Sequence, residues 1–157
     1  EASDWKSSPM ARKSIRADAL ARLFERSTRA LHSSGHSHGL FPAQWTALRY
    51  FAAADRAQCT AISLARFQGM AFGPVSRTVR TLIGKGLLRK AGSAGRGRAE
   101  LLELSDEGHA MLANDPLGAV VRALEALDDG ERVALALALE QILTSIQPVE
   151  TPGEGDL

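Results

Sequence analysis

Between residues 87 and 104 the spacing of apolar side chains changes character, and this change limits what the chain can fold into. Leu87-Leu88-Arg89-Lys90-Ala91 and Ala99-Glu100-Leu101-Leu102-Glu103-Leu104 read as strands, whereas the flanking segments carry apolar residues every three or four positions. Gly92-Ser93-Ala94-Gly95-Arg96-Gly97-Arg98, between them, has the composition of a flexible turn, so the pair is expected to form a hairpin. The chain has 157 residues, enough for one domain with its own core and too few for two large ones. Apolar residues make up 45% of it and aromatics only 5%, because Ala and Leu dominate, which favours helix packed on helix. The predicted fold class is therefore mainly α with a small β-hairpin.

Upstream of the hairpin the sequence predicts four helices. Ile15, Ala19, Leu23, Ser27 and Ala30, widened by Leu20, Phe24 and Leu31, mark the first, from Ser14 to about Ser33. A loop follows over His32–Gly39. Pro42 opens the second, with Trp45, Leu48 and Phe51 facing inward and Ala52 beside them, and Asp55–Gln58 breaks it. Thr60 is the expected N-cap of a short third helix, with Ile62, Leu64, Ala65 and Phe67 available for packing and Gly69 at its end. Residues 70–72 are read as a tight connection. Gly73-Pro74 then opens the fourth helix, which Gly86 terminates.

Downstream, Ser105 is the expected N-cap of a fifth helix, with Asp106 and Glu107 at the positive end of its dipole. Its stripe contains Met111, Leu112, Leu117, Val120, Val121, Leu124 and Leu127, and Pro116 should kink or interrupt it. Asp128-Asp129 begins a last helix with Val133, Leu135, Leu137, Leu139, Ile142, Leu143 and Ile146. Residues 1–13 and 148–157 have the composition of disordered tails.

A short helix, a turn, a second helix and a hairpin in that order make a winged helix-turn-helix. On the fourth helix, Val75, Val79, Leu82 and Ile83 share one face at 100° per residue, and Arg77, Arg80 and Thr81 share the opposite one. Ser76 lies on the flank and Pro74 near the N-terminus. Such a small, basic, hydroxylic face suits the major groove of double-stranded DNA, where Arg pairs with guanine and Ser or Thr reaches bases or phosphates. Thr60, at the start of the third helix, joins Pro74, Ser76, Arg77, Arg80 and Thr81 as a candidate DNA contact. Arg96 and Arg98, in the glycine-rich tip, are candidates for the narrow minor groove.

Charge along the chain agrees with this placement. No acid occurs between Asp55 and Glu100, whereas Arg56, Arg66, Arg77, Arg80, Lys85, Arg89, Lys90, Arg96 and Arg98 do. From Glu100 onward thirteen acids face only Arg122 and Arg132. Ordinary solvated faces mix both signs, so the segregation points to a polyanion as partner.

These residues resemble a known family. Pro42-Ala43-Gln44-Trp45-Thr46-Ala47-Leu48-Arg49 is similar to the second helix of MarR-family regulators. Val75-Ser76-Arg77-Thr78-Val79-Arg80-Thr81-Leu82 with Lys85-Gly86-Leu87-Leu88-Arg89 resembles their recognition helix and wing entry, and Leu102-Glu103-Leu104-Ser105-Asp106-Glu107-Gly108 resembles their wing exit. The resemblance covers about residues 15–147. Arg98 matches the family's wing Arg, but Arg96 stands where the family usually has an Asp that orients it, so the tip is expected to be more basic and more mobile.

The resemblance implies one domain over 14–147, with a winged lobe at 40–104 and dimerisation helices at 14–34 and 105–147. It implies a homodimeric, ligand-responsive repressor acting on a pseudo-palindromic operator. Ile15, Leu23, Leu139, Leu143 and Ile146, outside the winged lobe, fit a dimer because one small chain cannot cover them. The family often binds small aromatic or apolar acids between the dimer helices and the winged lobe. By that analogy Leu31, His32, Trp45, Arg49 and Met111 are expected near an effector, with Arg49 as the carboxylate partner.

Other readings are weaker. A winged-helix protein-interaction scaffold without DNA binding is the alternative of a different class, but it needs no exposed Arg77 and Arg80. A thiol redox sensor using Cys59 is another; only Arg56 is near enough in sequence to stabilise a thiolate, and a small buried residue in a short strand is the better reading. His32, His36 and His38 have loose spacing for a metal site and read as a polar loop, and His109 as a helix-surface residue. No P-loop, dinucleotide fingerprint or nucleophile constellation is present, so neither enzymatic activity nor a cofactor is expected. A single cysteine and the lack of a membrane-length apolar run suit the cytoplasm.

Overall fold

The computed structural model describes residues 15–93 and 99–146. The tails expected at 1–13 and 148–157 lie outside the described residues, as do Arg96 and Arg98. The elements run α1 (Ala17–Ser34), α2 (Pro42–Ala53), a 3-10 turn (Arg56–Gln58), α3 (Ala61–Gln68), α4 (Phe72–Gly84), β1 (Leu88–Ser93), β2 (Glu100–Leu104), α5 (Asp106–Leu112), α6 (Leu117–Glu125) and α7 (Asp129–Ile146). Among the described residues the fold is thus mainly helical with one small hairpin. The chain divides into two compact units, one ending at Pro116 and one beginning at Leu117.

In the first unit, α1 is an exposed helix with no buried residue. Asp18 holds Arg16 and Arg22, and Glu25 holds Arg29 one turn on. Helix α2 opens on Pro42, and the amide of Phe41 donates to the Gln44 side chain at 3.0 Å. Trp45, Leu48 and Phe51 point inward as expected. Ala52 does not: it is exposed, and Ala47 and Gln44 take the inward positions instead.

Thr60 caps α3 by accepting from the amide of Ser63 at 3.1 Å, and Gly69 ends the helix at φ +60°. Only Leu64 and Ala65 of α3 are buried; Ile62 and Phe67 stay exposed, because this short helix turns one side to the core. Helix α4 starts at Phe72, earlier than the Gly73-Pro74 start expected, which makes Pro74 its third residue. The connection from α3 is correspondingly shorter.

The hairpin is antiparallel, with Leu88 opposite Leu104, Arg89 opposite Glu103 and Lys90 opposite Leu102. A register shift between Lys90 and Ser93 lets β1 run on to Ser93, into what reads in sequence as turn. The amide of Leu102 in β2 donates to the carbonyl of Cys59 at 2.8 Å, which ties the sheet to the segment before α3. Cys59 is buried as expected, but it follows the 3-10 turn and belongs to no strand. The core joins Leu40, Trp45 and Leu48 with Leu64, Val75, Val79 and Leu82 and with Leu88, Leu102 and Leu104 of the hairpin. Burying aliphatic side chains of this size stabilises by about 1.5–3 kcal/mol each before entropy is charged against it. Ser105 caps α5, accepting from the amide of Gly108 at 3.0 Å.

In the second unit, α6 and α7 have no buried residue. Pro116 immediately precedes α6, so it separates this helix from α5 rather than kinking a continuous one. Helix α7 begins with a reciprocal cap: Asp128 accepts from the amide of Glu131 at 2.8 Å, and Glu131 accepts from that of Asp128 at 3.0 Å.

Candidate nucleic-acid interface

Helix α4 is anchored by Val75, Val79 and Leu82, all buried, and this fixes which side faces outward. Arg77, Arg80, Thr81 and Gly84 are exposed, Pro74 is exposed near the helix start, and Ser76 is half-buried on the flank. The Thr81 hydroxyl donates to the carbonyl of Arg77 at 3.0 Å and keeps its lone pairs for a donor outside the helix. Ser76 and Arg80 also line a cleft of about 440 Å³ with Thr60, Ile62, Phe72, Lys90 and Glu100.

Thr60 differs from the other candidates. It is only 4% exposed, and its hydroxyl accepts from the Ser63 amide and donates to the Ser63 hydroxyl at 3.0 Å. Its place in the structure is that of a cap which sets the start of α3. Arg96 and Arg98, the two wing-tip candidates, lie outside the described residues.

The acid-free segment is not acid-free in space. Antiparallel pairing brings the acids of β2 against the bases of β1, with Arg89 to Glu103 at 2.7 Å and Lys90 to Glu100 at 3.0 Å. Arg56 approaches Glu103 at 4.0 Å, and Lys85 donates to the carbonyl of Gly39 at 3.0 Å. Among the described residues, Arg66, Arg77 and Arg80 form no ion pair. The uncompensated positive charge of the helix-turn-helix is therefore carried by Arg66 on α3, by Arg77 and Arg80 on the outer face of α4, and by Lys85 just after it, whose bond to a neutral carbonyl leaves its charge in place. Sequence reading missed the partial neutralisation of the hairpin; its signal was the alternation of Arg89-Lys90 with Glu100 and Glu103 once a register is assigned.

The effector candidates occupy several environments. Leu31 is half-buried near the end of α1, and His32 is exposed with its ring 5.4 Å from that of His36. His36 in turn stands 5.5 Å from Phe41, and His38 6.2 Å from Trp45, so these imidazoles pack edge-on against rings. Trp45 is completely buried, and its indole N–H has no hydrogen-bond partner among the described residues. Met111 is half-buried against the core. Arg49 makes a two-pronged ion pair with Asp115, at 2.7 and 2.8 Å. That side chain, expected to meet a ligand carboxylate, already holds an internal one.

Burial pushes the Cys59 thiol above its ordinary pKa, against a smaller opposing pull from Arg56. The thiol contacts the carbonyls of Asp55 at 3.5 Å and Ala54 at 3.6 Å. Burial thus favours the protonated thiol over the thiolate that a nucleophile needs. No helix among the described residues is long and apolar enough to cross a membrane.

No family model and no curated protein matches the chain by sequence. Solved structures do match by shape. A probable transcriptional regulator from Pseudomonas aeruginosa is similar at 26% identity and a TM-score of 0.59, over 81% of this chain and 96% of that one. A MarR-family transcriptional regulator from Streptomyces coelicolor, solved in complex with DNA, is similar at 19% identity and a TM-score of 0.65, over 89% and 95%. A mutant of S. aureus MepR bound to an oligodeoxyribonucleotide is similar at 18% identity and a TM-score of 0.56, over 85% and 99%. With its hairpin packed against α2 and α4, the chain has the winged helix-turn-helix fold of the MarR-family transcriptional regulators.

Proposed function

We propose that this chain is a sequence-specific regulator of transcription that binds double-stranded DNA as a homodimer, with α4 in the major groove. The observation that carries the reading is the pair Arg77 and Arg80: exposed and unpaired among the described residues, on a helix locked in place by Val75, Val79 and Leu82. Structural relatives that contain DNA support it. An arginine with no internal carboxylate partner keeps its full charge for phosphates and its planar donor fork for guanine.

The dimer is supported by large apolar side chains that stay exposed in this chain, namely Leu20 and Leu23 on α1 and Val133, Leu137, Leu143 and Ile146 on α7. An apolar surface of this kind marks an interface. The finer reading is a repressor released by a small aromatic or apolar acid near Leu31, His32, Trp45, Arg49 and Met111. Such an acid would compete with Asp115 for the Arg49 guanidinium.

A gel shift with the intergenic DNA beside the protein's own gene, at low and moderate salt, tests the proposal. The wild type should give a discrete complex that a random duplex does not match, and the double substitution Arg77→Ala with Arg80→Ala should abolish it. Equal affinity of both proteins for both duplexes would refute it.

A further inference from the structure

The first turn of α4 has no polar side chain. Its opening residues are Phe72, Gly73, Pro74 and Val75, and Val75 is turned into the core. Phe72 is 51% exposed although it is among the largest apolar residues of the lobe. Gly73 has open space where a Cβ would stand, so nothing shields the helix backbone at that point. Pro74, as the third residue, also removes one of the backbone N–H groups that a helix N-terminus ordinarily offers.

This composition limits what the turn can recognise. In a helix-turn-helix protein the N-terminal residues of the reading helix are those that meet base edges. Bases present hydrogen-bond donors and acceptors in the major groove, and one apolar group, the C5-methyl of thymine. The Phe72 side chain can neither donate to nor accept from a base edge, but an exposed phenyl ring can cover a methyl. Phe72 lines the same cleft as Arg80, eight residues further along the helix, whose unpaired charge complements a polyanion held there.

We infer that Phe72 reads thymine in the operator half-site through its C5-methyl group, while the hydrogen-bonding readout falls to Arg77 and Arg80. The inference rests on the proposed DNA-binding function and assigns α4 a division of labour along its length. Apolar contact at the start selects thymine, and charged contact further along selects guanine or phosphate.

The test separates this claim from the one beneath it. A duplex is first selected by the wild-type protein from a randomised library, and each thymine is then replaced in turn by deoxyuridine, which lacks only the methyl. Burying one methyl-sized group corresponds to about a fourfold change in affinity, so the wild type should lose about that at one or two positions per half-site. Phe72→Ser should bind the thymine duplex more weakly and be indifferent to the replacement at those positions. Phe72→Leu, which keeps an apolar side chain, should keep the sensitivity. Thermal unfolding unchanged in both variants shows that the fold is intact, as the exposure of Phe72 leads one to expect. Should the wild type tolerate deoxyuridine everywhere, or Phe72→Ser remain as sensitive as the wild type, the inference is overturned while DNA binding stands. A library from which the wild type enriches no sequence would overturn sequence-specific binding itself.

Discussion

Gly108 lies directly against the carbonyl of Leu87, so close that a Cβ at Gly108 would stand 2.1 Å from the oxygen. The same carbonyl accepts from the amide of Ser105 at 3.1 Å, and the Ser105 hydroxyl donates to the carbonyl of Gly86 at 2.5 Å. Gly86 itself sits at φ +73°. The residues that enter and leave the hairpin are thus clamped together where α5 begins, and the clamp works only because position 108 has no side chain. Gly108→Ala should destabilise the winged lobe by about 3 kcal/mol, at the upper end of overpacking costs. In a chain of this size that lowers Tm by roughly 10 °C. Thermal denaturation followed by circular dichroism checks it, and a Tm within a degree of wild type would show that the two segments can separate freely.

Arg77 and Arg80 should act on binding alone. Where either guanidinium grips a base with both of its prongs, replacement by Ala should cost about 1–3 kcal/mol of operator affinity and relax the preference at one position per half-site. Neither side chain touches the buried face of α4, so Tm should stay within the small range of surface substitutions. Titrations against operator and random duplex, with a melt of each variant, test both halves. Arg96→Ala with Arg98→Ala is expected to weaken both duplexes more evenly.

Salt should weaken the complex steeply. If a dimer neutralises about 8 phosphates, log K against log salt should have a slope near −7. The internal pairing of Arg56, Arg89 and Lys90 with Glu103 and Glu100 makes the hairpin strands poor contributors. Replacing Glu103 by Gln should therefore strengthen binding slightly at low salt, measured by fluorescence anisotropy, and a weaker complex would contradict this charge assignment.

Assembly is expected to depend on the exposed apolar face of α7. Leu143→Glu with Ile146→Glu should turn a dimer into a monomer in light scattering and remove operator binding with it. Both residues are exposed within the chain, so helix content should be kept. A wild-type chain that is itself monomeric at micromolar concentration would end the dimer proposal.

Cys59 gives a prediction about pH. Its folded pKa is raised by burial, so the folded state holds the thiol proton more tightly than the unfolded state does. The associated stability is complete below the unfolded-state pKa and is lost as pH rises through the folded one. Stability should accordingly decline on the alkaline side, and less so in Cys59→Ser. Alkylation of the native protein at neutral pH should be slow, and fast only after denaturation. Rapid modification of the folded protein would revive the thiol-sensor alternative.

Helices and caps were legible in the sequence because their causes are local. Thr60 and Ser105 announce helix starts by residue type, Gly69 and Gly86 announce ends by their freedom at positive φ, and the 3.6-residue period of α4 sets Val75, Val79 and Leu82 against Arg77 and Arg80 without reference to anything else in the chain. That is why the exposed basic face and the winged fold could be read from the order of residues. The tertiary structure decided what depends on neighbours distant along the chain. Thr60 is buried at the start of α3 with its hydroxyl bonded to Ser63, and Arg49 is paired with Asp115, 66 positions away. Glu100 and Glu103 neutralised the hairpin's bases through antiparallel register, a relation that no linear count of charge contains. Ile62 and Phe67 were left outside because a short helix can present only part of its surface to a core that α2, α4 and the hairpin already fill. A side chain's type and period are properties of the sequence, but whether its polar group or its apolar surface is still available is set by whatever the fold places beside it.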